Sequence, residues 1–218
     1  MLRSAPLWEK NDNIIFQDIE EIYSRNIDWE QFRESTILLT GPNGMLASYV
    51  MYMLIYLNEE KDMGIKIIAM ARSKERFTNR FREYSNREYI VLITDSLLEP
   101  IRIDGKVDYI IHAASLASPQ YYDVCPVDVL SPNVIGTYNL LNLAVKKKIK
   151  GFLLFSTGDI YGVVNGIDYV TEQDFGIIDP LEIHSCYSES KRMAETLCNS
   201  FMYQYGVPVK MLRIWHTY

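Results

Sequence analysis

The stretch Thr36-Ile-Leu-Leu-Thr-Gly41-Pro-Asn-Gly44-Met-Leu-Ala47 decides how this chain folds. A short apolar strand ends at a Gly-x-x-Gly-x-x-Ala turn, and a run with helical spacing follows at once. At such a junction the first backbone N–H groups of the helix point outward, and the helix dipole favours a phosphate there. Glycine permits the tight turn and close approach of a ligand, and a small third residue lets the helix pack on the sheet. Gly41, Asn43, Gly44, Met45 and Leu46 are therefore candidate cofactor contacts, while Pro42 has no N–H to offer. An ordinary strand-to-helix turn has the same pattern, so its weight depends on its surroundings.

Outward from the turn, strands are expected at 36–40, 65–71, 89–94, 109–113, 152–156 and 209–214. Helices are expected at 45–57, 74–84, 127–148 and 187–205. Near-continuous apolar runs such as Ile37-Leu-Leu and Ile67-Ile-Ala-Met fit parallel strands covered on both faces. The alternation predicts an α/β fold, a doubly wound parallel sheet, over 36–218, preceded by a helical arm within 1–35. In the helix at 127–148, Leu130, Val134, Tyr138, Leu141 and Val145 are expected to form one buried stripe. The loop at 162–185 is long for a connection inside a domain and is expected to border a substrate site.

With 218 residues, 48% of them hydrophobic, the chain can bury a substantial core. Its 22 basic and 28 acidic residues leave a net charge of −6, which disfavours nucleic acid and anionic membrane as partners and favours a small molecule. No apolar run approaches the roughly 18 residues of a membrane span, and 1–13 lacks the apolar core of a signal peptide, so a cytoplasmic location is the expectation. Cys125, Cys186 and Cys198 show neither disulfide nor zinc spacing and read as buried thiols; no metal is expected.

The chemistry sits in Ser156-Thr157-Gly158-Asp159 and in Tyr187-Ser-Glu-Ser-Lys191. A Tyr and a Lys four apart on a helix share one face, and the ammonium is expected to lower the phenol's pKa so that it can exchange protons near neutrality. Among 16 tyrosines one such spacing is cheap, but it gains meaning behind a glycine turn and a Ser-Thr strand end. Thr157 can bond both a substrate oxygen and the Tyr187 phenol, and Asp159 is either a further acid/base or a turn residue. After the third strand, Asp95, with Ser96 beside it, either accepts from an adenine amino group or shapes a turn. Ala113 and Ala114 are small enough for a flat cofactor to lie against them. Arg72 either faces a 2′-phosphate, as NADP would present, or faces solvent. His112 reads as packed at a strand end, His184 as lining the loop, and His216 as lying at the chain end. No two of them have metal-ligand spacing.

These segments resemble the extended short-chain dehydrogenase/reductase family, the NAD-dependent sugar-nucleotide epimerases, dehydratases and decarboxylases, whose dinucleotide-binding half is Rossmann-like. The resemblance runs from Thr36 to Tyr218 through the glycine turn, His112-Ala-Ala, Asn133-x-x-Gly136-Thr137, Ser-Thr-Gly-Asp-Ile-Tyr-Gly, Tyr-x-x-x-Lys and Arg213-x-x-x-x-Tyr218. UDP-glucuronate decarboxylases look nearest, through Ala117-Ser118-Pro119-x-x-Tyr122 and Cys186-Tyr187-x-x-x-Lys191-Arg192-x-Ala194-Glu195. The resemblance implies bound NAD, with NADP as the alternative, and a nucleotide-sugar substrate oxidised at C4. Tyr187 would take the proton, Lys191 would hold the nicotinamide ribose, Thr157 would orient the sugar, Asn133 would add a cofactor contact, and Ser118 and Tyr122 would touch substrate. It also implies a homodimer through the helices at 127–148 and 187–205. Gly158-Asp159 stands where dehydratases carry an acidic pair, and Asp159 where decarboxylases carry Glu. The family continues beyond this point with a C-terminal substrate lobe, so the chain ending at Tyr218 is expected to bind a dinucleotide but turn over a sugar nucleotide poorly. A noncatalytic dinucleotide-binding module and an NADP-dependent carbonyl reductase are the other readings.

Overall fold

The computed structural model describes residues 14–166, 168–215 and 217. The expectations for 1–13, for His216 and for Tyr218 fall outside these residues. The chain divides into two compact units, Met1–Thr94 and Asp95–Tyr218. In the first unit the strands are ordered β3-β2-β1 and in the second β4-β5-β6, parallel in both and flanked by helices, as the alternation of apolar runs predicted.

The first unit holds α1 (Ile14–Ser24), β1 (Thr36–Thr40), α2 (Met45–Lys61), β2 (Lys66–Met70), α3 (Lys74–Arg80) and β3 (Ile90–Ile93). All five residues of β1 are buried, as suits a strand covered on both faces. Helix α2 buries Ala47, Met51, Met53, Leu54, Ile55, Tyr56 and Leu57, more than one face can account for. The second partner is the N-terminal arm: Tyr49 donates to the Asp18 carboxylate at 2.8 Å, and Phe16 and Tyr23 pack on Tyr56 at ring separations of 6.1 and 5.5 Å. Asp62 ends α2 in the left-handed region, and the Asn58 amide both donates to and accepts from the Ile65 backbone, fixing the entry into β2.

The second unit holds β4 (Tyr109–His112), α4 (Pro126–Ser131), α5 (Thr137–Lys147), β5 (Gly151–Thr157), α6 (Ser185–Tyr205) and β6 (Val209–Ile214). The helix expected at 127–148 is present without a gap, over 126–147, but its winding changes within it. Pro132 has no N–H, and a π-helical turn, Pro132–Gly136, separates α4 from α5. The extra residue shifts the helical phase, so the expected stripe is corrected. Of its five members only Leu141 is buried; Leu130, Val134 and Val145 are half-buried and Tyr138 is 49% exposed. The buried face instead carries Val129, Asn133, Thr137, Leu140, Leu141 and Ala144. Its polar members are tolerated because Thr137 donates to the Asn133 carbonyl at 2.5 Å and Asn133 to the Val129 carbonyl at 3.1 Å. Of the three thiols only Cys198 is buried; Cys125 and Cys186 are half-buried at helix starts.

Candidate active site

In the first unit, Gly41 turns the chain at φ 67°, a conformation glycine adopts without strain. Its N–H bonds the Met70 carbonyl at 3.0 Å, and the Gly44 N–H bonds the Gly41 carbonyl at 3.0 Å. The two glycines thus build the turn with their own N–H groups, leaving donation to a ligand to Met45 and Leu46 in the first turn of α2. The cap residue is Gly44, so no side chain covers that end, and Ala47 packs inward at 3% exposure. Asn43 adds a buried side-chain oxygen with no partner among the described residues, and Arg80 donates to its carbonyl. The uncapped start of this 17-residue helix fits an anionic cofactor group, whereas the orphaned Asn43 oxygen, an acceptor, fits a donor such as a hydroxyl. Arg72 is exposed just before Ser73, which caps α3 by accepting from Arg76 N–H at 3.2 Å.

In the second unit, Asp95 and Ser96 are exposed, with Ser96 Oγ accepting from Leu98 N–H at 3.2 Å. Ala113 and Ala114 are half-buried beyond β4. Thr157 closes β5, Asp159 follows it exposed, and Thr157 Oγ1 accepts from the Asp159 N–H at 3.2 Å. The first turns of α6 bring Tyr187 and Lys191 to this strand end, with the Thr157 hydroxyl near enough to the Tyr187 phenol to lower its pKa. Lys191 Nζ lies 6.0 Å from the Tyr187 ring centre and donates to the Phe155 carbonyl at 2.7 Å.

The expected depression of the Tyr187 pKa is not what the structure holds. Burial raises it, the Thr157 hydroxyl pulls it back down, and Asp159 raises it further; the Lys191 ammonium is directed at the Phe155 carbonyl. Lys191 itself, 3% exposed, is lowered by burial to about 8. His112 is packed at its strand end as expected, lowered to about 3 by burial and then by Lys191, while its bond to the Pro132 carbonyl opposes the shift.

Tyr122 is a neighbour of Tyr187 rather than an open surface group. Its ring stacks on Tyr187 at 5.3 Å and 17°, its hydroxyl donates to the Ala117 carbonyl at 3.0 Å, and it is 7% exposed. His184 meets Tyr122 edge-on and pairs with Asp123 at 2.9 Å. Ser118 is exposed at the start of the 3₁₀ turn before Tyr122. Asn133 is fully buried, donating to Ser190 Oγ at 3.0 Å, and Ser190 donates to the Tyr187 carbonyl at 2.8 Å. Its amide oxygen has no partner among the described residues. The loop beyond Gly162 is tied back by a Val163–Ile177 bridge and by Arg213, which donates to the Glu172 carbonyl at 3.0 Å.

Two features were not anticipated. Trp215 lies flat over Gly158, where a Cβ would stand 2.6 to 2.7 Å from the indole, and stacks on Tyr161 at 5.8 Å. Behind Thr157, Ser156, Glu195 and Arg213 form a bonded group. The helical spacing of Lys191 and Glu195 was a visible signal for the second; the first requires knowing that Thr157 pairs with Ile214 across β5 and β6.

Residues 37–218 match the model of the NAD dependent epimerase/dehydratase family. The chain belongs to that family. UDP-glucuronic acid decarboxylase 6 of Arabidopsis thaliana is 34% identical over 182 residues, 84% of this chain and 50% of that protein. UDP-glucuronic acid decarboxylase 1 of Xenopus tropicalis is 33% identical, over 98% of this chain and 48% of its own. The chain thus spans about half the length of the curated relatives it matches. The solved UDP-glucuronic acid 4-epimerase of Bacillus cereus in complex with NAD is 20% identical with a TM-score of 0.66, covering 83% of this chain and 56% of that one. A dTDP-glucose 4,6-dehydratase of Streptomyces venezuelae with NAD bound is 20% identical at 0.65, covering 81% and 54%. These two likenesses show the fold. Among the described residues no helix is long and apolar enough to cross a membrane, and no cluster of His, Cys, Asp and Glu is arranged to hold a metal ion.

Proposed function

We propose that this family member binds NAD and oxidises the C4 hydroxyl of a nucleotide-linked sugar, with UDP-glucuronic acid as the preferred candidate. The observation that carries this reading is the convergence at the end of β5 of Thr157, the Tyr187 phenol and the buried Lys191 ammonium, whose Nζ lies 6.0 Å from the Tyr187 ring centre. Met45 and Leu46 N–H groups would receive the pyrophosphate at the start of α2, with Gly41 and Gly44 shaping the turn and Asn43 adding a side-chain contact. Asp95, Ser96, Ala113, Ala114 and Asn133 are the remaining proposed cofactor contacts, and Lys191 would hold the nicotinamide ribose. The nicotinamide supplies the two-electron acceptor that makes a ketone of an alcohol.

Tyr187 accepts the proton of the sugar hydroxyl and later returns one. To act as a base Tyr187 must first lose its phenolic proton, which burial disfavours and the Thr157 hydroxyl favours; once it has taken the sugar's proton it is a phenol again and can return it. Tyr122 holds the Tyr187 ring by stacking, which fixes the direction of the phenolic oxygen. Asp159, exposed one residue past Gly158, is the residue proposed to act on the resulting 4-keto sugar. A single acid after Thr157 favours decarboxylation or epimerisation over loss of water.

Exposed apolar groups on α5 and α6, Tyr138, Met193, Met202 and Tyr205, are proposed to face a second copy of the chain. Calorimetric titration with NAD and NADP tests the cofactor assignment: NAD should bind the more tightly, and Arg72→Ala should matter little to it. Product analysis after incubation with UDP-glucuronic acid distinguishes carbon dioxide loss from epimerisation. Failure to bind either dinucleotide would refute the reading.

A further inference from the structure

Glu195 lies one helical turn beyond Lys191 on α6 and is only 9% exposed. It is bonded from two strands. Ser156 of β5, the residue before Thr157, donates its hydroxyl to Oε1 at 2.6 Å. Arg213 of β6 donates through Nε at 3.2 and 3.3 Å to the two oxygens and through a terminal nitrogen at 2.9 Å. The same guanidinium reaches the Tyr161 hydroxyl and the Glu172 carbonyl, both at 3.0 Å. One carboxylate therefore ties the helix that carries Tyr187 and Lys191 to the strand end that carries Thr157. Resting on the cofactor reading above, we propose that Glu195 is a positioning residue: it keeps Lys191 charged and in place for a dinucleotide's ribose and, through Ser156, fixes Thr157 against Tyr187.

The groups around Lys191 single out Glu195 for this role. The Phe155 carbonyl of β5 accepts its hydrogen bond but carries no charge. His112 of β4, lowered to about 3 by burial, is neutral at physiological pH and does not repel it. On α6, Tyr187 is raised by burial, and Cys198 is raised by burial to about 12, so neither is an anion at neutral pH. Asp159 is exposed past the end of β5 and bears on Tyr187. Burial lowers Lys191 to about 8, opposed by Cys198 and by Glu195; the Cys198 thiol, raised to about 12, is neutral at that pH, which leaves Glu195, the partner of Arg213. Arg213 pairs with the same carboxylate at 2.9 Å, and a second cation there is expected to compete with the ammonium for it.

The test is NAD affinity by calorimetry between about pH 7 and about pH 10, spanning the folded and unperturbed titration ranges of Lys191. In the native chain affinity should fall as pH rises through about 8, where Lys191 loses its proton. Glu195→Gln should move that midpoint down by about half a unit or more, because an opposite charge near the ammonium has gone. Arg213→Gln should move it up, and Glu195→Asp, which retains the charge, should bring it back to the native value. Lys191→Met should bind weakly and without this pH dependence. A purely structural role for Glu195 would weaken binding equally at every pH and leave the midpoints together.

A folded Glu195→Gln chain with an unmoved midpoint overturns the proposal. Should that variant fail to fold, an Arg213→Gln midpoint at or below the native one overturns it instead. If the native chain binds no NAD at any pH, the cofactor reading itself falls, an outcome distinct from binding with an unmoved midpoint.

Discussion

Replacing Lys191 by Met should change how the stability of the fold depends on pH, in a direction and by an amount the structure specifies. Burial lowers Lys191 from 10.5 to about 8 in the folded chain, whereas the unfolded chain keeps the ordinary value. Between these values the unfolded state holds more protons, so native stability rises with pH across this window. The gap, 10.5 − 8 = 2.5, corresponds to about 3 kcal/mol. Met removes that penalty but also abandons the 2.7 Å bond to the Phe155 carbonyl, and a hydrogen bond from a charged donor is worth roughly 1.5–3 kcal/mol. At neutral pH the two effects nearly cancel, so a single measurement there decides little. The difference between native and variant is decisive: on raising the pH from about 7 to about 10.5 it should swing by about 3 kcal/mol in favour of the native chain. Urea unfolding followed by circular dichroism at several pH values measures it. A difference that stays constant across the range would refute the account of a buried, destabilising ammonium retained for its chemistry.

Three further outcomes are expected. Gly158→Ala places a methyl group 2.6 to 2.7 Å from the Trp215 indole, so the ring must leave Tyr161; the cost should be about 1–3 kcal/mol, with a red shift in tryptophan emission. Tyr122→Phe keeps the stack on Tyr187 and loses the bond to Ala117, costing about 1 kcal/mol, whereas Tyr122→Ala should cost about 3–5 kcal/mol in urea unfolding. Charged substitutions at Tyr138 and Met202 should leave the fold intact and lower the mass seen in light scattering if those side chains face a second copy.

The β1 turn and start of α2 were legible because their cause is local: two glycines and a small residue at fixed spacing. Tyr187 and Lys191 were legible for the same reason, since a helix dictates that residues four apart share a face. The change of winding after Ser131 was not, although Pro132 was in view; the apolar period assumed one uniform phase, and only the π turn shows which face is turned inward. Burial of Asn133 and Thr137 on that face depends on hydrogen bonds that a hydrophobic period does not register. The raised Tyr187 pKa was missed because spacing reports proximity to a charge, whereas burial decides the larger part. The stack of Tyr122 on Tyr187 and the bonds to Glu195 from Ser156 and Arg213 join segments far apart in the chain, and sheet register is what sets Ser156 beside Arg213.

The claim that Tyr187 exchanges the substrate's proton while Lys191 and the α2 turn hold the dinucleotide is tested most directly in a single-turnover mixture of the chain, NAD and UDP-glucuronic acid. The near-ultraviolet absorbance of reduced nicotinamide is followed in the native protein and in Tyr187→Phe. The account predicts slow accumulation of the reduced cofactor in the native chain and at least about a hundredfold less in Tyr187→Phe, whose NAD affinity stays unchanged. Equal reduction by the two proteins would contradict it.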